Sequence, residues 1–270
     1  MDKNLTIGQY YPADSVIHKL DPRVKLIGTL LYIISLFLFH TWGYVLGVGF
    51  LAVMIILSRV PFLYMLRGVK TIWLILVLTM VFNLFLTQGT ILWQAGIFKI
   101  TYEGLSMAVQ LGIRLVALIL GASIMTLTTT PNKLTDGMES LFRPLKVVHV
   151  PVHEIAMMMS IALRFIPILM EETDKIKKAQ MARGADFETG NIIRRSKAMV
   201  PILVPLFISA FRRANDLAMA MEARCYHGSE GRTKMKPLKY TKRDACGYIS
   251  LLLYLAVMIG LNIYAGGRVI

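Results

Sequence analysis

At 270 residues, with 56% hydrophobic and only 17% charged side chains and a mean hydropathy of +0.59, the chain excludes a soluble globule. Its formal net charge of +14 suits either nucleic acid or the inner surface of a membrane, and where the charges lie decides between them. Two cysteines, Cys225 and Cys246, have the spacing of neither a disulfide framework nor a metal site.

Residues 1–25 are polar and contain Pro12 and Pro22, which gives no sign of a cleavable signal peptide. Uncharged apolar runs follow at 26–40, 41–58, 71–98 and 245–267, with a further run at 104–128 broken only by Arg114. The first two are short for a span of about 20 residues, but polar flanks reach into the headgroups. His40-Thr41-Trp42-Gly43 reads as a tight turn with an interfacial tryptophan. The run from 71 is too long for one upright helix. It divides into a span over 71–87 and an outer interfacial loop over 88–98 that carries Trp93. Stretches 155–170 and 199–211 are also apolar. Inserting both would put Lys175, Lys177, Lys178, Arg183, Arg194, Arg195 and Lys197 on the outer face, against the positive-inside rule.

The expected architecture is therefore an all-α polytopic membrane protein with five transmembrane helices. Residues 1–130 hold four spans, at about 26–40, 43–58, 71–87 and 105–128. Residues 131–243 form a cytoplasmic helical region, and 244–270 carry the fifth span. With the N-terminus cytoplasmic and the C-terminus outside, only Lys99 and Arg268 face out and Arg114 lies within a span. The basic excess is thus topological, and nucleic acid is not needed to explain it.

The cytoplasmic region reads as three helices. Thr130-Pro131 is an N-cap followed by proline at the first helical position, and the short helix it opens stops before Pro144. Pro151 opens a longer helix, kinked at Pro167, that runs to Arg183-Gly184. A third begins near Asn191, bends or restarts at Pro201 and Pro205, and runs to Arg224. Both long helices are apolar early and charged late, as helices lying partly against a membrane and projecting their ends into water would be.

The two ends resemble each other. One reads Met181-Ala182-Arg183-Gly184 and the other Glu222-Ala223-Arg224-Cys225. An arginine at a last turn can present a rigid bidentate fork to a carboxylate, and the small neighbours let another surface approach. A single Ala-Arg-Gly is an ordinary helix cap. Two copies closing two long helices favour a docking role.

With these motifs, with Asp14 to Leu26 (DSVIHKLDPRVKL) ahead of the first span and with Leu163-Arg164-Phe165-Ile166-Pro167, the chain resembles the transmembrane T component of energy-coupling factor transporters, the vitamin- and metal-uptake branch of the ABC importers. The likeness runs over almost the whole length. It implies three cytoplasmic coupling helices, two of them long and crossed, whose Ala-Arg-Gly ends dock into two ABC ATPase subunits. Carried over, the docking residues are Ala182, Arg183 and Gly184 with Ala223, Arg224 and Cys225. Cys225 stands where the motif has glycine, and the docking contact is expected to survive with a different cap geometry. The resemblance also implies exchangeable substrate-binding membrane subunits, for which Met157, Met158 and Met159 are the expected contact, since flexible thioethers suit a surface that meets several partners. ATP and Mg would belong to the ATPase partners, in a prokaryotic cell membrane. Consistent with this, G-x-x-x-x-G-K-[ST] occurs nowhere, so nothing in the chain cradles a triphosphate and no cofactor or enzymatic activity is expected of it.

Simpler roles are expected elsewhere. Gly43 and Gly47, with Gly49, serve helix packing, and His149 and His153, with no HExxH, make a metal site improbable. Arg114 is balanced between function and snorkelling to the outer face. A stand-alone permease would need polar residues converging between spans, where only Arg114, Asn83 and a few Ser and Thr are available. A membrane enzyme lacks a cluster of acids, bases or ligands. A basic lipid-binding scaffold would depend on many charges rather than on two arginines.

Overall fold

The computed structural model describes residues 10–38, 42–95, 98–187, 191–228, 235 and 237–264. Among these residues eight α-helices dominate. In chain order they are α1 (Pro22–Leu38), α2 (Trp42–Ser58), α3 (Phe62–Leu86), α4 (Tyr102–Thr128), α5 (Pro131–Phe142), α6 (Val152–Ala182), α7 (Ile192–Glu222) and α8 (Lys242–Tyr264). A hairpin of β1 (Ile91–Ala95) and β2 (Phe98–Thr101) joins α3 to α4, and a 3-10 turn (Arg143–Val148) follows α5. The chain forms two compact units, residues 1–140 with 238–270 and residues 141–237.

In the first unit α1, α2, α4 and α8 share a core of Tyr32, Leu36, Tyr44, Leu51, Ala117, Leu120, Ile124, Tyr254 and Met258. Asp21-Pro22 starts α1 as the sequence suggests. The Asp21 carboxylate accepts the Arg23 N–H at 2.9 Å, and the Asp21 N–H donates to Asp244 Oδ1 at 2.7 Å. Asp244 also accepts the N–H and hydroxyl of Thr241, each at 2.7 Å, so one buried carboxylate holds the starts of both α1 and α8. Nearby, Lys25 Nζ donates to the Thr128 carbonyl at 2.8 Å and to Thr129 Oγ1 at 3.2 Å. A lysine thus satisfies one of the orphan carbonyls that end α4.

Close helix approach depends on glycine at chosen points. A Cβ on Gly121 of α4 would lie 2.7 Å from Tyr32 Cε1, and one on Gly47 of α2 would lie 2.9 Å from Leu36 Cδ2. Gly47 therefore packs as the sequence pattern suggests, whereas Gly49 faces open space.

Several boundaries differ from the sequence expectation. The third span's helix starts at Phe62, straight after Pro61, and not at 71. Arg67 and Lys70 limit how much of it is apolar but do not interrupt its hydrogen bonds, since charged long side chains are good helix formers. The expected loop over 88–98 is largely an antiparallel ribbon, bulged between Ile91 and Trp93. Thr101 closes it, donating to the Thr87 carbonyl at 2.9 Å and accepting the Gly104 N–H at 3.1 Å as the N-cap of α4.

Four described helices, α3, α4, α6 and α8, are long and apolar enough to cross a membrane, and α2 is apolar but shorter. Helix length and composition thus do not separate α6 from the spans; the sequence sets it aside on the basic residues that follow it and on Glu154, Arg164 and Pro167 within it. The turn expected at His40-Thr41-Trp42-Gly43 falls partly on His40 and Thr41, which lie outside the described residues, as does Arg268 at the far end of the fifth span.

Candidate coupling surface

The second unit is built on α6 and α7, each 31 residues long. Both run unbroken through their prolines, Pro167 in α6 and Pro201 and Pro205 in α7, so α7 does not restart as the sequence allowed. The helices are antiparallel neighbours. Glu172 of α6 accepts the Ser209 hydroxyl at 2.7 Å and the Arg213 guanidinium at 2.6 Å. One helical stretch further on, Gln180 Nε2 donates to the Pro201 carbonyl at 3.4 Å. The C-terminal half of α6 therefore runs against α7 from Arg213 back to Pro201.

Both expected docking ends close with the same cap. At the end of α6, Arg183 N–H donates to the Gln180 carbonyl, Gly184 N–H to Met181 and Ala185 N–H to Gln180, each at 3.0 Å. At the end of α7, Arg224 N–H donates to Met221 at 3.1 Å, Cys225 N–H to Glu222 at 2.8 Å and Tyr226 N–H to Met221 at 3.0 Å. This is the Schellman pattern, with the 6→1 and 5→2 bonds of a left-handed terminator. Gly184 supplies that conformation with φ +87°, and Cys225 supplies it with φ +55°. The expectation that cysteine would change the cap geometry is therefore overturned. The hydrogen-bonding demand of the helix end outweighs the steric cost of a Cβ in the left-handed region.

Ala182, Arg183, Gly184, Ala223, Arg224 and Cys225 are all exposed. Because the helices are antiparallel, the two arginines stand at opposite ends of the pair. Gln180, beside Arg183, meets Pro201, which precedes Arg224 by about 35 Å of helix at 1.5 Å per residue. The structure thus gives two equivalent tips and does not bring them together.

Of the methionines on α6, Met158 and Met159 are exposed and Met157 is half-buried. The sequence shows 199–211 as apolar but assigns it no contact, and on α7 this stretch forms a longer exposed face. Met199, Leu203, Phe207 and Phe211, with Val200, Val204 and Ile208 beside them, are all more than half or close to half exposed. Their spacing of four along 199–211 was the available signal. Phe207 and Phe211 already pack on each other, with ring centroids 4.9 Å apart. His149 ends the 3-10 turn in a left-handed conformation, φ +59°, which makes it a cap residue. Among the described residues no group of three or more His, Cys, Asp or Glu is placed to hold a metal ion.

Comparison with known proteins decides the family. The family model CbiQ, described as cobalt transport protein, matches residues 13–235. The energy-coupling factor transporter transmembrane protein EcfT of Ruminiclostridium cellulolyticum is 55% identical over 245 residues, covering 90% of this chain and 92% of that protein. The protein of the same name from Clostridium kluyveri is 52% identical over 272 residues, covering 98% of this chain and all of that protein. The one from Bacillus subtilis is 48% identical over 264 residues, with 97% and 100% covered. The chain belongs to this family of energy-coupling factor transporter transmembrane proteins. It is accordingly a multi-pass membrane component of a transport system with an ABC-type energy-coupling role, as the resemblance of its sequence implied.

Proposed function

We propose that the chain is the mechanical link between two ABC ATPase subunits and a substrate-binding membrane subunit, in an importer for a vitamin or metal micronutrient. The observation that carries this reading is the pair of equivalent Arg-bearing caps at opposite ends of α6 and α7. Two separate tips suit two separate ATPase subunits, one arginine to each, with Arg183 and Arg224 each forking onto a partner carboxylate. Ala182, Gly184, Ala223 and Cys225 are small enough to let the partner's backbone come close. ATP and Mg are held by the ATPases, whose closure moves the tips, and the helices pass that movement on.

The exposed apolar faces of α6 and α7 serve the substrate-binding subunit, with Met157, Met158 and Met159 giving a compliant surface. In this arrangement the N-terminus and the α6–α7 unit are cytoplasmic and the C-terminus lies outside. The chain itself hydrolyses nothing.

Co-purification tests this. Tagged chain is isolated from its own cell as wild type and as Arg183→Glu with Arg224→Glu. Wild type is expected to bring down nucleotide-binding subunits in a 2:1 ratio, and the double variant to bring down none. Capture that survives the double reversal of charge returns both arginines to helix capping. Failure of well-folded wild type to capture any ATPase refutes the linking role.

A further inference from the structure

Arg114 is the one ionisable side chain in the apolar run 104–128, and nothing in the coupling role uses it. It sits near the middle of α4, about 18 Å from the start of the helix at Tyr102 and about 21 Å from its end at Thr128, at 1.5 Å per residue. Its Nη2 donates to the Tyr44 hydroxyl. Its Cζ lies 5.3 Å from the Tyr44 ring centroid and 5.4 Å from that of Phe37. Nε is buried without a hydrogen-bond partner. No carboxylate pairs with this guanidinium among the described residues. A phenol and two ring faces orient a cation but do not neutralise it, and a charge at this depth needs a counter-anion.

The surroundings indicate where that anion comes from. Phe37 is next to the last residue of α1, and Tyr44 lies in the first turn of α2. Arg114 is therefore level with the end of α1 and the start of α2. These two helices are about 26 Å long, against about 40 Å for α4. Such a pair is shorter than a hydrocarbon core of about 30 Å. Headgroups beyond the end of α1 and the start of α2 therefore lie low against the flank of α4, at the height of the guanidinium. Among the described residues there, Phe37 is 55% and Leu38 48% exposed. Tyrosine at this level is the usual companion of headgroups.

We infer that Arg114 is a binding site for the phosphate of a phospholipid from the leaflet on the side of the end of α1 and the start of α2, with Tyr44 and Phe37 holding the guanidinium so that its other Nη N–H groups meet the phosphodiester. Snorkelling is then incomplete by construction: the aromatic pair stops the side chain short of the end of α4, and the lipid comes to it. The inference is independent of the ATPase-linking role, because it concerns the isolated chain.

Native mass spectrometry of purified full-length chain, titrated with phosphatidylglycerol in detergent, tests it. Wild type should retain one phospholipid that Arg114→Gln binds at least about tenfold more weakly, the loss expected for hydrogen bonds to a charged group. Tyr44→Phe should weaken the same step by less, and Lys133→Gln, on α5 beyond the far end of α4, should leave it unchanged. Should Arg114→Gln not survive purification, Arg114→Lys keeps the charge without the fork and must still bind more weakly than wild type. Phosphatidylethanolamine separates phosphate recognition from net lipid charge. Inorganic phosphate in tens-of-millimolar excess should displace the lipid only if a free anion suffices. Equal retention by wild type and both Arg114 variants overturns the inference. So does a wild type that holds no phospholipid and gains an Arg114-dependent contact only with the substrate-binding subunit, which would assign the anion to a protein carboxylate.

Discussion

Replacing Cys225 by glycine should stabilise the end of α7, and the size of the gain follows from the cap. Cys225 holds φ +55° while its N–H and that of Tyr226 complete the two terminator bonds. An L-residue in the left-handed region costs about 1–2 kcal/mol, whereas glycine adopts it freely and gives back about 0.5–1 kcal/mol in unfolded-state entropy. The net gain is therefore about 0.5–1 kcal/mol, a two- to fivefold smaller open population at 25 °C. Hydrogen–deuterium exchange of the full chain in detergent reads this directly. Amides of Arg224, Cys225 and Tyr226 should exchange two- to fivefold more slowly in Cys225→Gly, with the Gly184 end unchanged as an internal control. The reciprocal variant, Gly184→Ala, should speed exchange at Gly184 and Ala185 by a similar factor, since φ +87° is less tolerant of a Cβ. Unchanged or faster exchange in Cys225→Gly would refute the claim that both helices end in the same strained-or-free terminator.

Three further outcomes are expected. Asp244→Ala leaves the Asp21 N–H and both Thr241 donors without their acceptor, which should cost about 3 kcal/mol and lower the melting temperature in detergent by about 6–12 °C. Gly121→Ala drives a methyl against the Tyr32 ring edge, which a flexible side chain could yield to and a ring cannot. A loss of about 1–3 kcal/mol in the same assay is expected, and an unchanged melting temperature would show that α1 and α4 pack less closely than 2.7 Å implies. Burial depresses the His18 pKa below the ordinary 6.5, with Lys25 and Lys133 adding to the effect and the Tyr11 carbonyl and Asp14 opposing it. A base with a lowered folded pKa contributes stability above the unfolded value and loses it on acidification, because the unfolded chain then binds the proton first. The melting temperature should therefore fall as the pH drops below about 6.5, and His18→Gln, which keeps a donor for the Tyr11 carbonyl, should flatten that fall.

Much of this was legible in the sequence because proline, charge and apolar runs are local signals. Asp21-Pro22, Thr130-Pro131 and Pro151 each mark a helix start that the structure keeps, and Arg183 and Arg224 mark the two ends within two residues. The start of α3 was misplaced because hydropathy reports where a helix is apolar, whereas its hydrogen bonds begin after Pro61 regardless of Arg67 and Lys70. The β1–β2 ribbon was hidden by its shortness: four or five residues of alternation next to a long apolar run carry little periodic signal. The cap at Cys225 was misjudged because residue preference argued against a conformation that the α7 carbonyls require. The Arg114 environment was out of reach, since Phe37 and Tyr44 meet it only through the packing of α1 and α2 against α4.

The α6–α7 pair has a further regularity that bears on how it could transmit force. Glu172 lies eleven residues before Arg183, and its partner Arg213 lies eleven residues before Arg224. The ion pair is thus equidistant from both tips, about 16 Å along each helix. Two arms of equal length joined at such a clasp turn together when their ends are drawn closer, whereas two unjoined helices would slide. On the proposed reading, Glu172→Ala should therefore leave both tips able to dock, so that ATPase capture persists, yet weaken the conversion of ATP hydrolysis into transport. Reconstituted complex should hydrolyse ATP at near the wild-type rate while substrate uptake per ATP falls several-fold. Because the pair is part-exposed, the effect on overall stability should be small. Parallel loss of capture and uptake would instead mean that the clasp merely holds the helices folded, and equal uptake per ATP would show that the arms move independently.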